Sequence, residues 1–328
     1  MSRILLPLVP LYGMAIALKN AAYDREWITP KRLRWPVVSV GNLSVGGSGK
    51  TPLVIALAKL LTREGVHVDV LSRGYGRSSK ATERVDVAGD AARFGDEPLL
   101  IAQSTQAPVY VGANRYEAGL LAESENMEPG VHLLDDGFQH RKLARDVDIA
   151  VIHRSDLQGH VLPAGRLRES LQALQRASVL VVREEDAEVE DQLRDRGIRK
   201  PIWRIRRVLT VPSESRRVLA FCGIARPDEY FQALQKQHVE VATKENFRDH
   251  HNYSESDMRQ LIAKLRSVNA EAFLTTEKDF TRMQPEQKKL LADAAPLLLA
   301  RLEVVFQDEA AVLSGLKEML PAAFRRSL

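Results

Sequence analysis

A fifteen-residue stretch, Val37-Val-Ser-Val-Gly-Asn-Leu-Ser-Val-Gly-Gly-Ser-Gly-Lys-Thr51, constrains this chain more than any other. A β-rich run feeds a glycine-rich loop, and a helical pattern over Thr51–Glu64 follows at once. The generic phosphate-binding pattern is G-x-x-x-x-G-K-[ST]. Gly49, Lys50 and Thr51 supply its last three positions, Ser44 replaces its first glycine, and Gly46 and Gly47 lie inside the loop. The physics survives that replacement. Backbone N–H groups of Gly46, Gly47, Ser48 and Gly49 can turn inward around phosphate oxygens, and the helix N-terminus adds a partial positive charge. Lys50 is expected to reach the outer phosphates of a nucleotide, and Thr51 to ligate Mg²⁺ through its hydroxyl. Pro52 falls in the first helical turn, where its missing N–H costs little.

Such a loop needs a metal-orienting acid at the end of a neighbouring strand. Val131-His-Leu-Leu-Asp-Asp136 provides an apolar run ending in two carboxylates, followed by Gly137. Asp135 is expected to act on Mg²⁺, usually through a water. Asp136 is left for a second role.

The surrounding pattern is that of an α/β protein. Strands are expected at Val37–Val40, His67–Ser72, Val109–Val111, Val131–Leu134, Asp148–Ile152 and Ser178–Val182, with helices at Thr51–Glu64, Tyr116–Ser124 and Ala187–Gly197. Strands separated by helix-length spacers imply a doubly wound, mostly parallel sheet of the P-loop NTPase type. At 328 residues the chain has room for two domains. Residues 36–200 form the expected P-loop domain. Residues 201–217 read as a linker of two short strands, Ile202–Arg206 and Val208–Val211, with a polar break at 212–215. Residues 218–328 read as a second, smaller α/β domain. Its expected elements are strands Val218–Phe221, Val239–Ala242 and Ala272–Thr275, and helices Pro227–Gln237, Ser254–Ser267 and Glu309–Met319. The single cysteine, Cys222, excludes a disulfide scaffold and a cysteine-based zinc cage, and suits a reducing compartment.

Residues 1–35 form a separate segment. They hold six bases and two acids, which is the whole of the chain's formal charge of +4. Ile4–Leu18 is free of charge, yet as a helix it would span only about 22 Å against a hydrocarbon core of about 30 Å. Pro7 and Pro10 interrupt its first half. A helix over Leu11–Tyr23 lying on a membrane surface, with the bases facing anionic headgroups, is the favoured reading. A buried core helix and a signal peptide are its alternatives.

Four further segments are expected on loops at the C-terminal ends of strands, where open α/β sheets bind ligands. They are Ser72-Arg-Gly-Tyr-Gly-Arg77, Gly95-Asp-Glu-Pro98, Gly137-Phe-Gln-His-Arg141 and Leu162-Pro-Ala-Gly-Arg-Leu-Arg-Glu169.

These segments, with Gly41–Pro52, Asp135–His140 and Thr275-Thr-Glu-Lys-Asp279, resemble the tetraacyldisaccharide 4′-kinase family in order along the chain. The resemblance implies transfer of the γ-phosphate of ATP to the 4′-hydroxyl of an acylated glucosamine disaccharide 1-phosphate, giving lipid IVA. It implies Mg²⁺ as cofactor and the cytoplasmic face of the bacterial inner membrane as location. Carried over by motif, Lys50 and Thr51 hold phosphate and metal, Asp135 orients the metal, and Glu97 lies near it. Asp96 becomes the catalytic base, paired with a histidine of the second domain. That histidine is expected to be His250, with His251 open as the alternative. Arg73, Tyr75, Asn114, Tyr116, Asp136, Gln139 and Glu169 become candidate substrate or metal contacts. Closure of the two domains over ATP is expected to assemble the Asp96–histidine pair.

Two rival functions fit parts of this pattern: a P-loop kinase for a soluble metabolite, and a membrane-associated nucleotide switch. Nucleic-acid binding is disfavoured, because the basic excess is confined to the N-terminus and aromatic residues make up only 6%. No obligate protein partner is implied.

Overall fold

The computed structural model describes residues 7, 9–47, 49–126, 128–212, 217–322 and 324. Its strands are β1 (Val37–Asn42), β2 (Val68–Ser72), β3 (Glu83–Arg84), β4 (Val109–Val111), β5 (Val131–Asp135), β6 (Val147–Val151), β7 (Val179–Arg183), β8 (Ile202–Thr210), β9 (Val218–Cys222), β10 (Val241–Asn246), β11 (Ala272–Thr276) and β12 (Leu297–Phe306). Its helices are α1 (Val9–Asp24), α2 (Lys50–Arg63), α3 (Ala91–Phe94), α4 (Asp96–Ser104), α5 (Arg115–Glu125), α6 (Glu188–Asp195), α7 (Pro227–Lys236), α8 (Glu255–Ser267), α9 (Glu277–Arg282), α10 (Pro285–Ala294) and α11 (Glu309–Met319).

The strands form one sheet in the order β10-β9-β11-β12-β8-β7-β6-β1-β5-β2-β4-β3. Pairing is parallel except for β3 with β4 and β12 with β8. Every residue of β1, β2, β5 and β6 is buried. That is why these strands read as continuous apolar runs: a parallel sheet is covered on both faces. Leu53, Val54, Leu57 and Leu61 of α2 pack one face against Val38, Val40 and Val70. Leu43, Phe138, Ala150 and Leu180 lie in a separate core on the other side. The C-terminal strands show the same division. Val218, Ala220 and Cys222 pack with Tyr230 and Leu234, while the alternate residues Leu219 and Phe221 pack with Met258 and Leu261.

The two short strands expected in the linker are one strand. The first residues of β8 pair in parallel with β7, from Leu180↔Ile202 to Arg183↔Ile205. The later ones pair antiparallel with β12, from Phe306↔Ile205 to Arg301↔Thr210. Ile205 therefore joins the two halves of the sheet. The charge that suggests a break does not need one, because the Arg207 guanidinium is held by Glu229 at 2.8 Å. Of the expected polar break, residues 213–215 lie outside the described residues. The expected strand at Val239 begins two residues later and runs to Asn246; as an edge strand it tolerates Lys244 and Glu245.

Helix α1 has only Tyr23 buried, so it is not a core helix. Pro10 sits at its start, where a proline is tolerated. Asn20 Nδ2 donates to Glu169 (2.7 Å), and Arg141 donates to Asp24 and to the Asn20 carbonyl. Leu11, Met14 and Leu18 are each more than half exposed. Among the described residues no helix is long and apolar enough to cross a membrane.

Candidate active site

The chain leaves β1 at Asn42 and enters α2 at Lys50. Gly46 (φ 93°) and Gly49 (φ 83°) take left-handed conformations that an L side chain would strain. Gly49 is the N-cap of α2, and lacking a side chain it leaves the first N–H groups of the helix open to an anion. Lys50 Nζ donates to Asn42 Oδ1 at 3.0 Å and lies 3.5 Å from Asp136 Oδ1. Thr51 is buried. Ser48, the remaining loop residue expected to bind phosphate, lies outside the described residues. Ala225, just after β9, faces this loop closely: a Cβ at Gly47 would stand 3.2 Å from its own.

Asp135 ends β5 beside β1, as the sequence predicts. Its Oδ2 accepts from Ser72 Oγ at 3.0 Å, whereas its Oδ1 is buried with no hydrogen-bond partner among the described residues. Burial raises the Asp135 pKa, and the neighbouring Glu97 and Asp136 raise it further. A buried, unpaired carboxylate oxygen among like charges is the environment a cation relieves. Among the described residues no three His, Cys, Asp or Glu side chains enclose a metal by themselves. Mg²⁺ does not require such a cage, since it keeps water and phosphate oxygens alongside one or two protein oxygens. Thr51, Asp135 and Glu97 fit that partial donor set.

Asp136 adopts φ 50°. Burial alone would raise its pKa, but Lys50 and Arg168 bring it below the ordinary value. Arg168 NH1 donates to both Asp136 oxygens at 3.0 Å and to Gln139 Oε1 at 3.1 Å. Gln139 Nε2 in turn donates to the Asn42 carbonyl. Glu169 is buried against Arg176 and Asn20.

Gly95–Pro98 does not end a strand. It opens α4 directly after α3, with Asp96 and Glu97 in the first turn, where carboxylates favour the helix dipole. His250 Nδ1 lies 3.1 Å from Asp96 Oδ2. His251 turns elsewhere, bonding Asp257 at 3.1 Å and stacking on Phe247. The pair that closure was expected to assemble thus stands together in this structure, through His250. Tyr75 meets the His250 ring edge-on at 5.8 Å.

Three partners around these groups escape sequence reasoning. Lys278 Nζ pairs with Glu97 at 2.8 Å, and Arg282 Nε with Asp96 at 2.7 Å. Asn42 is the third, through Lys50. Burial would raise the Asp96 pKa, but the His250 hydrogen bond, Lys278 and Arg282 together hold it well below the usual carboxylate range. Lys278 belongs to the Thr275–Asp279 motif, and Arg282 follows it by one helical turn; that spacing is the only signal the sequence offers.

A cavity of about 1490 Å³ brings these parts together. Its wall includes the loop glycines, Lys50, Thr51, Glu97, Asp135, Asp136 and His250, with Arg73, Tyr75, Gln139 and Glu169. Tyr12, Ile16, Lys19 and Asn20 of α1 close one side. Asn114 and Tyr116 are not in the wall. Asn114 caps α5, and Lys31 sits over the Tyr116 ring.

A glycine-rich loop between β1 and α2, Asp135 at the end of the adjacent strand, and His250 paired with Asp96 at the wall of one cavity make up the arrangement of a P-loop phosphotransferase. The family profile described as tetraacyldisaccharide-1-P 4′-kinase matches residues 1–321. A tetraacyldisaccharide 4′-kinase of Koribacter versatilis is 42% identical over 325 residues, covering 96% of this chain and 98% of that one. One from Geobacter metallireducens is 38% identical over 305 residues, covering 85% and 88% respectively. The crystal structure of an "apo" form of LpxK from Aquifex aeolicus in complex with ATP superposes with a TM-score of 0.77 at 33% identity, covering 97% of this chain and 98% of that one. This chain belongs to the tetraacyldisaccharide-1-P 4′-kinase family.

Proposed function

We propose that this enzyme transfers the γ-phosphate of ATP to the 4′-hydroxyl of a tetraacylated glucosamine disaccharide 1-phosphate, forming lipid IVA. The observation that carries this reading is that Lys50, Thr51, Glu97, Asp135 and His250 line one cavity, with Asp96 paired to His250 at 3.1 Å.

The triphosphate lies along the loop N–H groups and Lys50. Thr51 and Asp135, with Glu97 near, would hold Mg²⁺, which when bound would supply positive charge to the phosphate oxygens. Asp96 accepts the proton of the acceptor hydroxyl as its oxygen bonds to the γ-phosphorus and the bond to the β-bridging oxygen breaks. His250 orients Asp96. Lys50 and the loop dipoles carry most of the acceleration, because phosphoryl transfer is chiefly positioning and charge stabilisation. Arg73, Tyr75, Asp136, Gln139 and Glu169 are the candidate acceptor contacts.

The same reading places the enzyme on the cytoplasmic face of the inner membrane. Tyr12, Ile16 and Asn20 line the cavity, while Leu11, Met14 and Leu18 are exposed on the opposite side of α1. That side suits a lipid leaflet, with Arg25, Lys31, Arg32 and Arg34 near anionic headgroups. Incubation with γ-labelled ATP, Mg²⁺ and the acylated acceptor tests the reaction. Label should enter the lipid fraction; label released only as inorganic phosphate would point to a nucleotide switch instead.

A further inference from the structure

Asp96 has more partners than a free base needs. A carboxylate offers about four acceptor positions. Asp96 Oδ1 accepts from the Glu97 N–H at 3.0 Å. Oδ2 faces both Arg282 Nε at 2.7 Å and His250 Nδ1 at 3.1 Å.

Both Oδ2 partners rest on one residue, Gly223. Its carbonyl accepts from Arg282 NH1 at 2.6 Å and from the His250 backbone N–H at 3.2 Å. Its N–H donates to Asp279 Oδ1 at 2.9 Å, and that oxygen also accepts from Arg282 NH1 at 3.1 Å. Asp279 is fully buried and fixed further by Tyr253 and Thr276, whose hydroxyls donate to it at 3.0 Å and 2.6 Å. The approach at Gly223 is close: a Cβ there would meet the Arg248 carbonyl at 3.1 Å and Asp279 Oδ1 at 3.2 Å. The Arg282 guanidinium is therefore locked before it reaches Asp96. Its planar fork passes that rigidity on, which a lysine cannot do.

We infer that Arg282 is a positioning residue of the transfer site: it fixes the Asp96 carboxylate in one rotation, so that a single acceptor position, on Oδ1, is left for the proton of the incoming hydroxyl. This rests on the proposed role of Asp96 in phosphoryl transfer. The competing view is that Arg282 only staples the two halves of the chain together. The two differ in whether Arg282 acts through Asp96.

The test is single-turnover transfer from γ-labelled ATP to the tetraacyldisaccharide 1-phosphate. It compares wild type, R282A, R282K, D96N, R282A/D96N and R282K/D96N, with nucleotide affinity measured separately using a fluorescent ATP analogue. R282A should slow transfer roughly 10²-fold, and R282K roughly tenfold, with nucleotide affinity changed by less than about twofold. Neither substitution should slow the D96N enzyme further. Wild-type turnover in R282A, or an equal slowing in the wild-type and D96N backgrounds, would overturn the inference. Should R282A fail to fold, R282K and R282K/D96N decide the question in the same way. The wild-type rate tests the reaction itself, and the ratios between variants test Arg282.

Discussion

His250 Nδ1 stands 3.1 Å from Asp96 Oδ2, joining the first turn of α4 to the loop between β10 and α8. The β10–α8 loop is shaped for this contact. His250 takes φ 56°, and its N–H is tied to the Gly223 carbonyl. Asp96→Asn keeps the shape of the side chain and removes its basicity. Its kcat should fall by roughly 10²–10⁴-fold with little change in ATP affinity. His250→Ala removes an orienting group, so its loss should be smaller. Steady-state kinetics with the acylated acceptor checks both, and an Asp96→Asn enzyme with normal kcat would remove Asp96 from the chemistry.

Lys50 is held by Asn42 and Asp136 at the mouth of α2. Lys50→Ala deletes a cation from the phosphate site, and kcat/KM for ATP should drop by roughly 10²–10³-fold. Asp135→Asn should instead raise the Mg²⁺ concentration needed for half-maximal rate. A magnesium titration of the two variants separates the effects; an unchanged magnesium requirement in Asp135→Asn would exclude Asp135 as the metal-orienting acid.

Away from the site, His132 is fully buried between Asp69 (2.7 Å) and Glu123 (3.4 Å), with Trp35 stacked on its ring. Burial alone would lower its pKa, but Asp69 and then Glu123 outweigh it and push it up to about 9. A histidine whose pKa rises on folding stabilises fully below its unfolded value of about 6.5. That contribution, on the order of 3 kcal/mol, is lost as the pH climbs through about 9. Urea unfolding at pH 6 and pH 9.5 should show the loss in wild type. His132→Asn should be less stable at pH 6 and should lack this pH step.

The apolar face of α1 gives a binding prediction. Leu11, Met14 and Leu18 are exposed, whereas Tyr12 and Asn20 hold the helix to Arg168 and Glu169. Replacing the three exposed residues with Glu should abolish binding to anionic liposomes and leave the fold intact. Co-sedimentation measures this, and undiminished liposome binding would mean another surface contacts the bilayer.

The glycine loop and the double aspartate are legible because local sequence dictates them. Only glycine relieves the left-handed turns at 46 and 49, and Asp135 simply ends an apolar strand. Resemblance picks out Asp96 and Glu97, whereas the local reading puts Gly95–Pro98 on a loop after a strand; the segment in fact opens a helix, with Pro98 in its first turn. β8 reads as two strands because three arginines interrupt its apolar pattern, although partners elsewhere in the chain satisfy Arg204 and Arg207. Lys278 lies in the Thr275–Asp279 motif and Arg282 one turn beyond it, but nothing local to either names its partner. Their meaning comes from carboxylates on α4, far away in sequence, which helix periodicity in α9 cannot reveal. The order of the motifs along the chain therefore locates the phosphate end of the site better than its acid–base end.

The position of the transferred phosphorus separates 4′-phosphorylation from every rival reaction. The product of wild-type enzyme, ATP, Mg²⁺ and tetraacyldisaccharide 1-phosphate should be purified and its phosphorus–carbon couplings read by ³¹P NMR. A new phosphomonoester on the 4′-carbon, with the 1-phosphate retained, is the predicted result. Phosphate on another hydroxyl, or an acceptor recovered unchanged while ATP is consumed, would rule out the proposed transfer.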